Sequence, residues 1–207
     1  MVVDYKGRKL MVQANRNGNL YLLDRTTGKL IYSKPFVKLI TVNAPSAEGV
    51  KSCPAVEGAT NWFSTAFHPG TGLLYLQALE KCSIYSKAPA DWKAGQSHYG
   101  GDTKDVPGEP GKKYLRAIDL ESGKLRWEIP QDGLAISWGG VLSTAGGVVF
   151  FGHDGGDFAA ADANTGKLLW RFPANQLWKS SPMTYTAGGR QYVVTAAGSN
   201  ILAFSLK

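Results

Sequence analysis

Three short stretches hold side chains suited to gripping a polar, flat or anionic molecule. In Gln13-Ala14-Asn15-Arg16-Asn17-Gly18, Arg16 precedes an alternating apolar run. Its guanidinium is a fixed fork of donors that stays charged, so it suits an acceptor that gathers negative charge. The bland reading is a solvated loop arginine. Asn61, in Gly58-Ala59-Thr60-Asn61-Trp62, offers both a donor and an acceptor, which can orient a planar polar ligand or merely cap a turn. Trp138 precedes Gly139-Gly140, and two glycines let the backbone approach a flat group closely; the ring itself serves equally well as sheet packing. Cys53 and Cys82 lie 29 residues apart and are open to two readings, an oxidised pair or two buried thiols. A nucleophilic cysteine is not supported, because no histidine stands in a recognisable partner position. His68, His98 and His153 are far apart in sequence and no Cys-x-x-Cys occurs, so no metal ligands are assigned.

The elements that must position these residues are set by one recurring phrase. Leu20–Tyr32 (LYLLDRTTGKLIY), Leu115–Trp127 (LRAIDLESGKLRW) and Phe158–Trp170 (FAAADANTGKLLW) each read as a strand, an Asp, turn residues, Gly-Lys and a second strand that reaches an aromatic. Asp119 and Asp162 are 43 residues apart, and the same step again reaches Ser205 in the strand-like ILAFSL. Asp24 and Asp119 are 95 residues apart, which reads as two periods plus a short insertion, with Phe63–Leu79 as a weaker copy between them. Repeats of this length, built from short strands and Gly turns, predict an all-β fold of about four four-stranded antiparallel propeller blades. A sandwich or unrelated hairpins would not need the constant spacing. Asp24, Asp119 and Asp162 are read as turn carboxylates accepting backbone N–H bonds, and Trp127 and Trp170 as packing between blades. One propeller-like domain over 1–207 is expected, with a Gly- and Pro-rich loop insertion at 83–113.

Composition narrows the function classes. Twenty-three Lys and Arg against 16 Asp and Glu give a net charge of +7 over 207 residues, favouring anionic small molecules or acidic partners. The basic residues are scattered, so nucleic-acid binding is not expected. No apolar run is long enough to span a membrane, and no signal peptide is visible at the start.

Four segments then carry a resemblance over nearly the whole chain: Asn15–Ile31, Cys53–Cys82, Ser137–Gly156 with the following Asp-x-x-Thr-Gly phrase, and Ser181–Gly198. In this order they resemble the C-terminal part of a quinoprotein (PQQ-dependent) alcohol dehydrogenase of the methanol and ethanol dehydrogenase type. The resemblance implies half of an eight-bladed propeller, with PQQ near the axis beside Ca2+ or a lanthanide. It implies oxidation of primary alcohols in the periplasm, with electrons passed to a cytochrome c. By the same resemblance Arg16 is the catalytic and cofactor-binding arginine at the quinone oxygens, Asn61 and Trp138 are cofactor contacts, and Cys53 and Cys82 form a disulfide. The family's metal ligands, catalytic Asp and stacking Trp match nothing in the chain. The chain alone is therefore expected to be inactive, with PQQ and the metal as cofactors of the complete parent enzyme, and to associate with a missing N-terminal half or with itself. The alternative is a non-enzymatic β-propeller module for binding or assembly.

Overall fold

The computed structural model describes residues 1–41, 44–134 and 136–206. Among the described residues the regular elements are all strands, in five antiparallel sheets. Sheet 1 is β1 (Val2–Tyr5), β2 (Arg8–Ala14), β3 (Asn19–Asp24) and β4 (Leu30–Pro35) in sequential order. A small three-stranded sheet joins β5 (Val50–Ser52) to β8 (Ser83–Lys87) and β9 (Gly101–Asp105). Sheet 2 is β6 (Ala66–His68), β7 (Leu73–Glu80), β10 (Lys112–Asp119) and β11 (Leu125–Gln131). Sheet 3 is β12 (Val141–Ser143), β13 (Val148–Gly152), β14 (Asp157–Asp162) and β15 (Leu168–Pro173). Sheet 4 has three strands, β16 (Met183–Ala187), β17 (Arg190–Ala197) and β18 (Asn200–Ser205).

The sheets stack in chain order through alternate residues, as the two-residue period of a strand dictates. Along β7, Leu74, Leu76 and Ala78 pack with Leu10, Val12, Leu20 and Leu22 of sheet 1. Leu73 and Tyr75 point the other way, into a cluster with Val149, Phe151, Ala159 and Ala161 of sheet 3. Phe158, on the far face of sheet 3, packs with Val193, Ala197 and Phe204 of sheet 4. A strand covered on both faces needs an almost unbroken apolar run, which Leu73–Leu79 supplies except for Gln77.

The repeated phrase is the third-to-fourth-strand hairpin of sheets 1, 2 and 3. Asp24 Oδ1 accepts the N–H groups of Thr26 and Thr27, Asp119 Oδ1 that of Ser122, and Asp162 Oδ1 those of Asn164 and Thr165. The aromatic that follows each hairpin docks on the next sheet's turn. Tyr32 Oη donates to the Leu120 carbonyl at 2.9 Å, and Trp127 Nε1 donates to the Ala163 carbonyl at 3.1 Å, each one residue past the anchor Asp. Gly123 and Gly166 take positive φ and have no Cβ to obstruct the docked rings of Tyr32 and Trp127. Trp170 packs edge-on against Phe204 of sheet 4, 5.2 Å between centroids.

Three expectations change. Phe63–Leu79 is not a weaker copy of the same hairpin: its turn joins β6 to β7, the first two strands of sheet 2. One period, rather than two, therefore separates Asp24 from Asp119, and the surplus is divided between the stretch from β4 to β6 and the insertion between β7 and β10. The stretch 83–113, expected as a loop, contains β8, β9 and the start of β10; β8 and β9 pair over five residue positions and build the extra sheet with β5. The expected four four-stranded sheets are three of four strands and one of three, with this additional sheet beside them.

Candidate functional site

Antiparallel order puts particular loops at one end of the stack. Val141 pairs with Phe151, so Trp138–Gly140, just before β12, lies beside the His153–Gly156 turn that joins β13 to β14. By the same logic the stretch before β6, the end of β7 and the start of β10 share one end of sheet 2. The turn Asn15–Gly18, between β2 and β3, meets them: Ala59 N–H donates to the Arg16 carbonyl at 2.9 Å, and Leu79 N–H to the Ala59 carbonyl at 2.7 Å. Val141 N–H donates to Ser64 and Gly140 N–H to Ser180. The segment from Cys53 to Ser64 is thus the hub at which the four sheets meet.

That hub carries the three residues singled out from the sequence. Arg16 Nη2 donates to the Val56 carbonyl, and its aliphatic stem lies against Gly58, where a Cβ would come within 2.8 Å of it. Arg16 as a whole is exposed. Asn61 Nδ2 donates to the Glu57 carbonyl at 2.9 Å, and its Oδ1 accepts the Trp62 N–H. Trp138 is half-buried and stacks on Trp62, with centroids 4.8 Å apart, while Phe63 meets it edge-on. Trp62 itself is 72% exposed, so it is a surface ring rather than core packing. Arg16, Asn61 and Trp138, 45 or more residues apart in sequence, all converge on residues 56–63.

The hub is pinned covalently. Cys53 and Cys82 are disulfide-bonded, with Cα atoms 4.4 Å apart. Next to the bridge, Lys81 makes 2.8 Å ion pairs with Glu57 and Asp105. The 53–82 span is therefore tied at its ends and braced by charge where it bears Arg16 and Asn61.

Beneath Trp138 runs a buried polar chain that the sequence reading missed. Gln131 Nε2 donates to Gln77 Oε1 at 2.6 Å, and Gln77 Nε2 to the Gly152 carbonyl at 3.0 Å. Gln131 Oε1 accepts the Asp154 N–H, and Asp154 Oδ1 accepts the Ser137 N–H at 2.7 Å. Ser137 Oγ accepts the Trp178 N–H, and the Trp178 carbonyl accepts the Trp138 N–H at 2.6 Å. Trp138 is thereby held by backbone bonds referred to fixed groups of sheets 2 and 3. Lys113 closes the cluster. Its ammonium is 3.9 Å from Asp154 Oδ1, and burial, aided by Lys179 and against the pull of Asp154, lowers its pKa to about 8. The one sequence signal for Lys113 is strand alternation, which sets it on the same face as Leu115 and Ala117. Burial, with Arg171 nearby, also lowers the pKa of His153, whose Nδ1 accepts the Gly155 N–H.

Among the described residues no group of three or more His, Cys, Asp or Glu comes together to hold a metal ion. The donor set at the hub is instead cationic, amide and aromatic, which fits a flat anionic molecule.

Comparison with known proteins agrees with this chemistry. Residues 108–193 match the model of the PQQ family, the glucose/ethanol/alcohol dehydrogenase β-propeller domain. The chain is 38% identical to the quinohemoprotein alcohol dehydrogenase ADH IIB of Pseudomonas putida, over 95% of this chain and 31% of that protein. It is 31% identical to the lanthanide-dependent methanol dehydrogenase of Methylorubrum extorquens, over 94% of this chain and 37% of that protein. The crystal structure of the quinohemoprotein alcohol dehydrogenase of Comamonas testosteroni superposes with a TM-score of 0.84 at 28% identity, covering 97% of this chain and 34% of that one. The chain spans about a third of the length of these relatives.

Proposed function

We propose that this chain, which is homologous in sequence and structure to PQQ-dependent quinoprotein alcohol and methanol dehydrogenases, forms one wall of the cofactor site of such an enzyme. The carrying observation is the convergence of Arg16, Asn61 and Trp138 on residues 56–63 at one end of the sheet stack. A scaffold for binding or assembly would need no such set. On this reading residues 1–207 are a contiguous half of an eight-bladed propeller, with the sheet formed by β5, β8 and β9 as an insertion.

PQQ, when bound, accepts the two electrons removed from a primary alcohol. The residues here hold and polarise it. Arg16 keeps one donor on Val56, which fixes the direction of its fork, and would offer the others to the quinone oxygens, where negative charge grows on reduction. Asn61 is oriented by Glu57 and supplies amide contacts to the ring edge. Trp138 walls the pocket at a position set by the Ser137–Asp154 and Trp138–Trp178 bonds. Among the described residues no group of His, Cys, Asp or Glu assembles a metal site, so on this reading the Ca2+ or lanthanide of the complete enzyme belongs to other residues. The base that removes the alcohol proton is likewise assigned elsewhere. A periplasmic setting and a cytochrome c as electron acceptor complete the proposed role, and the disulfide suits an oxidising compartment.

Titration of the chain with PQQ, followed by tryptophan fluorescence, tests the reading. Saturable quenching at micromolar PQQ, weakened about tenfold or more by Arg16→Ala, is expected. Dye reduction with ethanol or methanol should stay at background even with PQQ and Ca2+ supplied. The absence of saturable quenching, or quenching indifferent to both Arg16→Ala and Asn61→Ala, would refute the assignment of this wall to the cofactor.

A further inference from the structure

Lys113 has a side chain only 3% exposed, and its ammonium makes no hydrogen bond among the described residues. The 3.9 Å to Asp154 Oδ1 lies beyond hydrogen-bond reach, and that oxygen already accepts the Ser137 N–H. Buried ammonium groups hold their donors satisfied as a rule, so this one stands out. The side chain lines a cavity with Phe63, Gln77, Ser137 and Trp138, with room for about one water-sized group. Phe63 presents its ring 5.9 Å from the ammonium.

A second cation stands near the Trp138 ring. Lys179 donates to the Ile136 carbonyl at 3.1 Å, and its Nζ is 5.7 Å from the centre of the Trp138 ring. The two lysines are close enough that Lys179 opposes the charging of Lys113. The charged groups around Lys113 are Asp154 from the β13–β14 turn, Lys179 from the segment before β16, and Glu57 from the hub. Glu57 pairs with Lys81 through Oε1 at 2.8 Å, and its Oε2 is buried without a hydrogen bond among the described residues. Lys113 and Lys179 thus bring two cations to the neighbourhood of the Trp138 ring.

We propose that Lys113 and Lys179 form a carboxylate-binding subsite beside Trp138, contiguous with the Arg16–Asn61 face. A carboxylate oxygen at the mouth of the cavity would accept from the Lys113 ammonium and receive the charge of Lys179. The subsite fits either a carboxylate of the bound cofactor or a free organic acid. It rests on its own geometry, so it can be read without cofactor binding.

The measurement is NMR of the Cε and Nζ signals of lysine in the full labelled chain, with Lys113 assigned through Lys113→Arg. Lys179→Gln, at an exposed position, gives a second assignment should Lys113→Arg not fold, because removing the neighbouring charge moves the Lys113 midpoint upward. In the free chain Lys113 should titrate near 8. Acetate, pyridine-2,6-dicarboxylate and PQQ are then added in turn, with chloride at matched ionic strength as the control. A bound carboxylate favours the charged lysine and should raise the midpoint by about one pH unit. Lys179→Gln should weaken the effective carboxylate about fivefold. A shift with PQQ alone would place the cofactor's carboxylate in the subsite, and a shift with the small acids would identify it as a general carboxylate site. A midpoint unmoved by all three, or moved equally by chloride, would overturn the proposal even if PQQ binds elsewhere on the hub.

Discussion

Replacing Gly166 by alanine should cost the fold clearly more than replacing Gly28, although the two turns are otherwise alike. Both glycines follow the anchor Asp by four residues, with φ of 72° at Gly28 and 73° at Gly166, and both donate N–H to that Asp's carbonyl. The strain of placing an L side chain at such φ is therefore common to both, about 1 kcal/mol. The surroundings differ. A Cβ at Gly28 meets nothing within 4 Å, whereas at Gly166 it would lie 2.7 Å from Cε3 and 2.8 Å from Cδ2 of Trp127. The indole must retreat, at about 1–3 kcal/mol for overpacking, and its bond to the Ala163 carbonyl is weakened, at about 1 kcal/mol. Gly28→Ala should thus lose about 1 kcal/mol and Gly166→Ala about 3–5 kcal/mol, read from urea unfolding midpoints at a shared slope. In a Trp127→Ala background the excess at Gly166 should vanish, since the clashing partner is gone. Equal losses at the two glycines, or an excess that survives Trp127→Ala, would refute the claim that ring-on-turn docking holds the sheets together.

Three further outcomes follow from the same structure. Opening the Cys53–Cys82 bridge with paired serines should lower stability by about 3.5 kcal/mol on the loop-closure scale, and denatured, non-reduced protein from an oxidising compartment should show no free thiol. Hydrogen bonds from Thr27 and Thr26 hold the Asp24 carboxyl below its usual range, and those from Thr165 and Asn164 do the same for Asp162; at Asp119 burial pushes upward but the Ser122 bonds prevail. Folded pKa values below the unfolded ones mean that this stabilisation is complete above the unfolded carboxylate pKa of about 4 and is lost as pH falls through the folded values. The melting temperature of wild type should therefore fall on acidification more steeply than that of Asp119→Asn, and parallel curves would count against the turn carboxylates. The outer faces of the end sheets expose Val2 at 62%, Met183 at 56% and Ile201 at 79%, so light scattering of the purified chain should give at least a dimer, and a monomer at all workable concentrations would refute that.

What could be read from sequence divides along the range of the interactions. The Asp-x-x-x-Gly hairpins were legible because each is closed within five residues by its own carboxylate, and the docking of Trp127 followed from its constant place after the turn. The false copy at Phe63–Leu79 shows where local pattern ends. His68-Pro69-Gly70-Thr71-Gly72 is a good turn whether it joins first to second strand or third to fourth, and only the pairing of β7 with β10, across an insertion of some thirty residues, decides which. The strands within 83–113 were hidden for a related reason. Glycines and prolines at 89–111 read as loop, while the pairing of β8 with β5 depends on a segment on the far side of the disulfide.

The site divides in the same way. Arg16, Asn61 and Trp138 were reachable because they sit in stretches that resemble known ones, but nothing local says that all three bear on residues 56–63. Lys113 is the harder case. A lysine that follows another lysine and a Gly-Pro stretch reads as solvated, and Lys112 beside it is indeed exposed. The alternation of β10 turns Lys113 inward, and the charge that receives it, Asp154, arrives from a turn in another sheet. Burying an ammonium without a hydrogen-bonded partner disfavours the charged form. Such a position is intelligible if its positive charge is wanted where a carboxylate comes to rest beside Trp138, and an apolar residue would serve the packing alone at least as well.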